Sequence, residues 1–166
     1  MPSAGGVTLN SCYLRPRSRG SVRLASADPA AAPLIDPNYL QDGRDRAMSI
    51  AGLKLTQEIL AQKPLARFIR AERLPGPEVR TDDEYFAFIC AHSKTSHHPA
   101  GTCRMGADAE SVLDVRLRLN GIERLRVADA SVMPRIISSN TNAAAIMIGE
   151  KAADMILADH RGAVTR

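Results

Sequence analysis

The patterned segments of this chain sort into strands and helices that occupy separate runs, without strand–helix–strand alternation. A parallel, doubly wound sheet needs a crossover helix between successive strands, so this order predicts an α+β fold instead: an antiparallel sheet flanked by helices. Gly5–Leu14 alternates apolar and polar residues, and so does Ser21–Ala25. With the turn chemistry of Pro16–Gly20 between them, the two read as a hairpin with a longer loop. Asp28–Pro37 carries three prolines and is expected to be extended coil.

Helices follow. From about Asp45 to Gln62, the apolar residues Ala47, Ile50, Ala51, Leu55, Ile59 and Leu60 fall on one helical face, and Pro64 stops the run. Pro75-Gly76-Pro77 breaks the chain again. Thr81 with Glu84 three residues on has the spacing of a capping box, so a helix is expected to open there. Leu113–Leu119 and Leu125–Ala128 read as short strands with Asn120-Gly121 as a tight turn between them. A long helix from about Asn140 to Ala158 closes the chain, its start marked by Ser138-Ser139-Asn140. Between the helical and the late strand regions lies Ser96–Gly106, which has two glycines and a proline but neither a helical nor a strand period.

Composition narrows the function classes. The 166 residues suffice for one domain with its own core. Aromatics are only 4% and Trp is absent, so that core must come from Leu, Ile, Val, Ala and Met. The net charge of +4 is mild, and the Arg residues are scattered with acids between them. A nucleic-acid footprint needs clustered charge and stacking aromatics, so that partner class is not expected. Three cysteines (Cys12, Cys90 and Cys103) show neither finger spacing nor a disulfide framework. No apolar run approaches the ~20 residues of a membrane span. With no leader-like start either, a reduced, cytoplasmic protein is the expectation.

Three places offer chemistry. His97 and His98 sit together in the irregular segment, where a loop histidine between packed elements can reach a cleft and move a proton near neutral pH. The residues alone leave open that both are surface or satisfied histidines. A metal site from His92, His97, His98 and Cys103 has no usual ligand spacing and no carboxylate pair, so none is expected. No Ser or Cys sits in a nucleophile elbow. Asn140-Thr141-Asn142 stands at the start of the last helix, where N–H groups and the dipole favour an anion, although capping explains these residues too. Asp129 and Ala130, in Val127–Ser131, end an apolar strand, and such an acid can accept a ribose or ribityl hydroxyl or simply hold a turn.

These sites, in this order, resemble the glucose–methanol–choline oxidoreductase family. His98-Pro99-Ala100-Gly101-Thr102-Cys103-Arg104-Met105-Gly106 looks like its histidine loop. Leu125–Pro134 looks like its late FAD-contacting strand and turn, and Ser139–Ala153 like its closing helix. Leu14–Val22 and Asp28–Leu40 match its substrate-domain hairpin and linker, so the resemblance runs from about Gly6 to Asp159.

The resemblance implies that residues 1–166 form the C-terminal, substrate-side domain, with the FAD-contacting strand and helix near 125–158. His98 would be the active-site base beside the flavin, and Asn140 the second catalytic residue. Asn at that position is similar to the choline and aliphatic-alcohol dehydrogenase branch. Asp129, Ala130, Asn140, Thr141 and Asn142 would bind FAD, with the last helix directing its positive end at the flavin. The implied reaction is oxidation of an alcohol CH–OH group by hydride transfer to FAD. A Gly-x-Gly-x-x-Gly fingerprint for the dinucleotide is missing from these residues. An FAD-binding N-terminal domain or chain is therefore the expected partner, and the chain alone is expected to be inactive. The alternative is a truncated, catalytically silent remnant or partner-binding fragment.

Overall fold

A computed structural model describes residues 5–164, which comprise two short strands, four α-helices and one 3-10 turn. The α+β class holds, but its sheet is small: β1 (Ser21–Arg23) pairs antiparallel with β2 (Leu34–Asp36). The helices are α1 (Gly43–Leu60), α2 (Lys63–Ala66), α3 (Asp82–His92) and α4 (Asn142–Val164). The chain divides into two compact units: one joins the segment up to Gly20 with Asp36–Lys94, the other joins Ser21–Ile35 with the chain from Thr95 onward.

In the first unit, α1 opens on Asp42, whose carboxylate accepts the Arg44 amide at 2.8 Å. The expected apolar stripe is not what this helix buries. Ala47, Ala51, Leu55 and Ile59 are exposed, whereas Asp45 and Thr56 are buried. Asp45 explains the difference. Its carboxylate accepts the backbone amides of Arg17 (2.8 and 3.1 Å) and Ser18 (2.7 Å), so this side of the helix is held against the Pro16–Ser18 turn. Pro64 does end α1 but also begins α2, since the first turn of a helix has no use for its missing N–H. The Thr81 capping box is complete: its hydroxyl accepts the Glu84 amide at 3.3 Å, and the Glu84 carboxylate accepts the Thr81 amide at 2.8 Å. α3 docks on α1 through buried Tyr85, whose hydroxyl donates to Gln57 Oε1 at 2.7 Å.

The strand expected over Gly5–Leu14 does not form, and β1 pairs instead with a segment that the sequence predicts to be coil. Alternation marks a segment as compatible with a sheet but does not choose its partner. The three prolines of Asp28–Pro37 bracket β2 rather than interrupt it, because Pro33 precedes Leu34 and Pro37 follows Asp36.

In the second unit, the late strands reduce to isolated bridges: Met105 with Leu113, Leu113 with Leu119, and Arg118 with Arg126. A side-chain turn prevents a continuous ladder. Asp114 Oδ1 accepts the amides of Arg116 (2.8 Å) and Arg118 (2.9 Å), and Leu117 and Arg124 adopt positive φ (63° and 61°). Leu113 and Val132 are completely buried and pack with Leu117, Met133, Ile148 and Ala152 into the core of this unit. α4 begins two residues later than expected, at Asn142, because Asn140 lies outside it as a cap: its Oδ1 accepts the Asn142 amide at 2.9 Å. Farther along α4, Asp159 receives the guanidinium groups of Arg116, Arg118 and Arg126. That tie fixes the bridged segment to the helix.

Candidate active site

The Ser96–Gly106 segment has no regular structure of its own, so its shape must come from its neighbours. Backbone hydrogen bonds supply it: the Cys103 amide donates to Ser131 O (3.0 Å), Met105 to Val132 O (2.9 Å), and Gly106 to Leu113 O (3.0 Å). Two glycines are sterically required. Gly101 has φ +88°, and a Cβ on Gly106 would lie 2.2 Å from the Ser111 hydroxyl. Arg104 braces the far end with two hydrogen bonds to Asp108 (2.9 and 2.7 Å) and one to Ser111 Oγ (2.9 Å). The Arg104 hydrogen bonds hold the Asp108 carboxyl well below the usual carboxylate range. Sequence reading did not foresee this brace, although an Arg and an Asp four apart next to a glycine are its visible signal.

The two histidines of the loop part company. His97 takes a positive φ of 61°, donates its amide to Thr95 Oγ1 at 3.0 Å and is exposed. His98 is half-buried, and its ring reaches the start of α4. Its Nδ1 lies 2.8 Å from the Thr141 hydroxyl and its Nε2 lies 3.2 Å from the Asn140 side-chain nitrogen. Residues 42 and 43 positions apart thus form one cluster, at the helix end where the first amides lack partners. Asn142 joins by donating its backbone N–H to Asn140 Oδ1. The first α4 turn closes with Ala145 N to Thr141 O at 2.9 Å, so the amides of Ala143 and Ala144 precede that bond. They are donors suited to negative charge.

Asp129 and Ala130 stand on the turn that holds the loop through Ser131. The Asp129 carboxylate caps this turn, accepting the Ser131 amide at 2.8 Å. The Ser131 side chain and amide together lower its affinity for protons, so it is ionised at neutral pH and acts only as an acceptor. A ligand hydroxyl fits such a group.

Other features lack these traits. An apolar groove of about 400 Å³ in the first unit is lined by Val7, Leu9, Ile59, Leu65 and Phe68 with their neighbours, and none of its lining residues titrates. Among the described residues, no group of three His, Cys, Asp or Glu side chains comes together as metal ligands, and no helix is long and apolar enough to cross a membrane. No disulfide joins Cys12, Cys90 and Cys103.

The GMC oxidoreductase family profile matches residues 16–149. The chain is 47% identical over 152 residues to a Pseudomonas putida protein named alcohol dehydrogenase [acceptor], covering 92% of this chain and 28% of that protein. It is 46% identical over 143 residues to an oxygen-dependent choline dehydrogenase of Escherichia coli O139:H28, covering 86% and 26%. Among solved structures, an FAD-dependent oxidoreductase from Chaetomium thermophilum superposes with a TM-score of 0.84 at 30% identity, covering 90% of this chain and 26% of that one. The chain thus spans between a quarter and a third of the length of these relatives.

Proposed function

The chain belongs to the GMC oxidoreductase family, and we propose that it is the substrate-side, C-terminal domain of an FAD-dependent enzyme that oxidises an alcohol. The observation that carries this reading is the His98 ring, bracketed by Asn140 and Thr141 at the open N-terminus of α4. An imidazole so held can offer Nε2 to a substrate hydroxyl that takes the place of the Asn140 amide.

The residues present fit FAD. Asn140, Thr141 and Asn142, with the first α4 amides, would hold its flavin side, and Asp129 and Ala130 its ribityl and pyrophosphate region. When bound, FAD supplies the two-electron acceptor for a hydride leaving the alcohol carbon. His98 then takes the hydroxyl proton on an imidazole nitrogen as the alcohol is oxidised. The Asn140 side-chain amide donates to the substrate oxygen as negative charge develops there, since an amide can stabilise an alkoxide but cannot accept the proton. Exposed Ile146 and Met147 on α4 and exposed Pro134 before it would be covered by the FAD-binding portion, which these residues lack.

FAD titration tests the architecture. The isolated chain should bind FAD weakly, because the dinucleotide grip is absent and each 1.4 kcal/mol lost costs about tenfold in affinity. Complemented by an FAD-binding domain, it should bind tightly and bleach under an alcohol without oxygen. A submicromolar dissociation constant for the chain alone would contradict the division of labour. A complemented, FAD-loaded protein that no alcohol bleaches would point to a silent remnant.

A further inference from the structure

Both ring nitrogens of His98 have partners, and the chemistry of those partners fixes where the proton sits. The Asn140 side chain cannot be turned around: its Oδ1 accepts the Asn142 amide at 2.9 Å, so reversing it would set two donors against each other. Its NH₂ group therefore faces His98 Nε2 at 3.2 Å, and because that group only donates, Nε2 must accept. A neutral imidazole has one donor and one acceptor. Nδ1 consequently carries the hydrogen and donates to Thr141 Oγ1 at 2.8 Å. Thr141 is itself buried and anchored by its carbonyl in the first turn of α4.

We infer that Thr141 is a positioning residue that fixes His98 in its Nδ1–H tautomer, so that Nε2 is the nitrogen that serves as base. The inference rests on the reading of His98 as proton acceptor. It also gives the two partners different duties. A substrate hydroxyl approaching Nε2 takes the place of the Asn140 amide there, and that amide turns its donor to the substrate oxygen. From that moment Thr141 alone holds the ring, whose irregular loop has no repeating structure to orient it.

The test uses the FAD-loaded protein, this chain together with its FAD-binding portion, labelled with ¹⁵N-histidine. Long-range ¹H–¹⁵N spectra distinguish the tautomers, and loss of one ring system in His98→Gln assigns the resonances. The wild type should show the Nδ1–H pattern. Thr141→Val, nearly isosteric but without the acceptor, should lose it and populate both tautomers, and Thr141→Ser should regain it. In parallel, flavin reduction at saturating alcohol should slow about two- to tenfold in Thr141→Val, the value of one ordinary hydrogen bond, and recover in Thr141→Ser. An Nε2–H pattern in the wild type, or an unchanged Nδ1–H pattern in Thr141→Val, overturns the inference. If His98→Gln leaves flavin reduction unaltered, the base assignment fails, and the spectra still decide whether Thr141 sets the tautomer.

Discussion

Removing the Asp45 side chain should release the Pro16–Ser18 turn from α1. Asp45 is 3% exposed, and its two oxygens accept the Arg17 and Ser18 amides at 2.7–3.1 Å. Asp45→Ala leaves two backbone donors unpaired in a partly buried place. At about 1–3 kcal/mol for each, tempered by some access of water, the loss is about 2–4 kcal/mol. Asp45→Asn keeps one carbonyl and should lose less. The pH dependence has a definite sign. Burial pushes the Asp45 carboxyl up, but hydrogen bonds from the Ser18 hydroxyl and from the Arg17 and Ser18 amides outweigh it, so its folded pKa lies below the ordinary value. Its contribution is therefore complete above the unfolded pKa of about 3.9 and is lost as pH falls through the folded value. Urea denaturation of wild type and Asp45→Ala at pH 7 and pH 3, with hydrogen exchange at Arg17 and Ser18, measures both effects. The stability gap should narrow at pH 3. A gap below about 0.5 kcal/mol at pH 7, or unaltered protection of the two amides, would refute the reasoning.

Three further outcomes follow from the packing. Leu113 is completely buried at the centre of the second unit, so Leu113→Ala should destabilise it by about 2–5 kcal/mol in chemical denaturation. Thr81→Ala removes half of a complete capping box and should lower α3 stability by about 1 kcal/mol, read as faster exchange of the Glu84 amide. Gly106→Ala drives a methyl group into the buried Ser111 hydroxyl, 2.2 Å from the Cβ position, and should increase exchange at Met105 and Gly106 while leaving α3 unaffected.

Legibility in the sequence followed the range of the interactions involved. Capping is local, so Thr81 and Glu84 announced α3 correctly, and the start of α4 was missed by two residues only because Asn140 caps from outside. Strands need distant partners. The alternation of Gly5–Leu14 was therefore no guide to pairing, and the prolines around Leu34–Asp36 concealed a strand by sitting at its ends. The periodicity of α1 placed the helix but not its buried side, because Asp45 is buried by backbone amides that no hydropathy pattern records. At the site, the residues alone marked the His97-His98 loop and the Asn140-Thr141-Asn142 helix start, and the resemblance to a family gave His98 and Asn140 their roles. Thr141 came forward as part of that helix start and, through the resemblance, as a flavin neighbour. Its bond to His98 joins positions 43 apart, which local pattern cannot reveal.

The central claim is that His98, and not its neighbour, handles the alcohol proton. Stopped-flow flavin bleaching in the FAD-complemented protein tests it with three variants. His98→Ala should slow reduction by about 10²–10⁴-fold, the range for losing a general base. Asn140→Ala should slow it less, because an amide stabilises the substrate oxygen without taking the proton. His97→Ala should be nearly neutral, since His97 is exposed and the hydrogen bonds to Asn140 and Thr141 are made by His98. A critical His97 beside a dispensable His98 would contradict the assignment, and three neutral variants would show that this domain does not carry the chemistry.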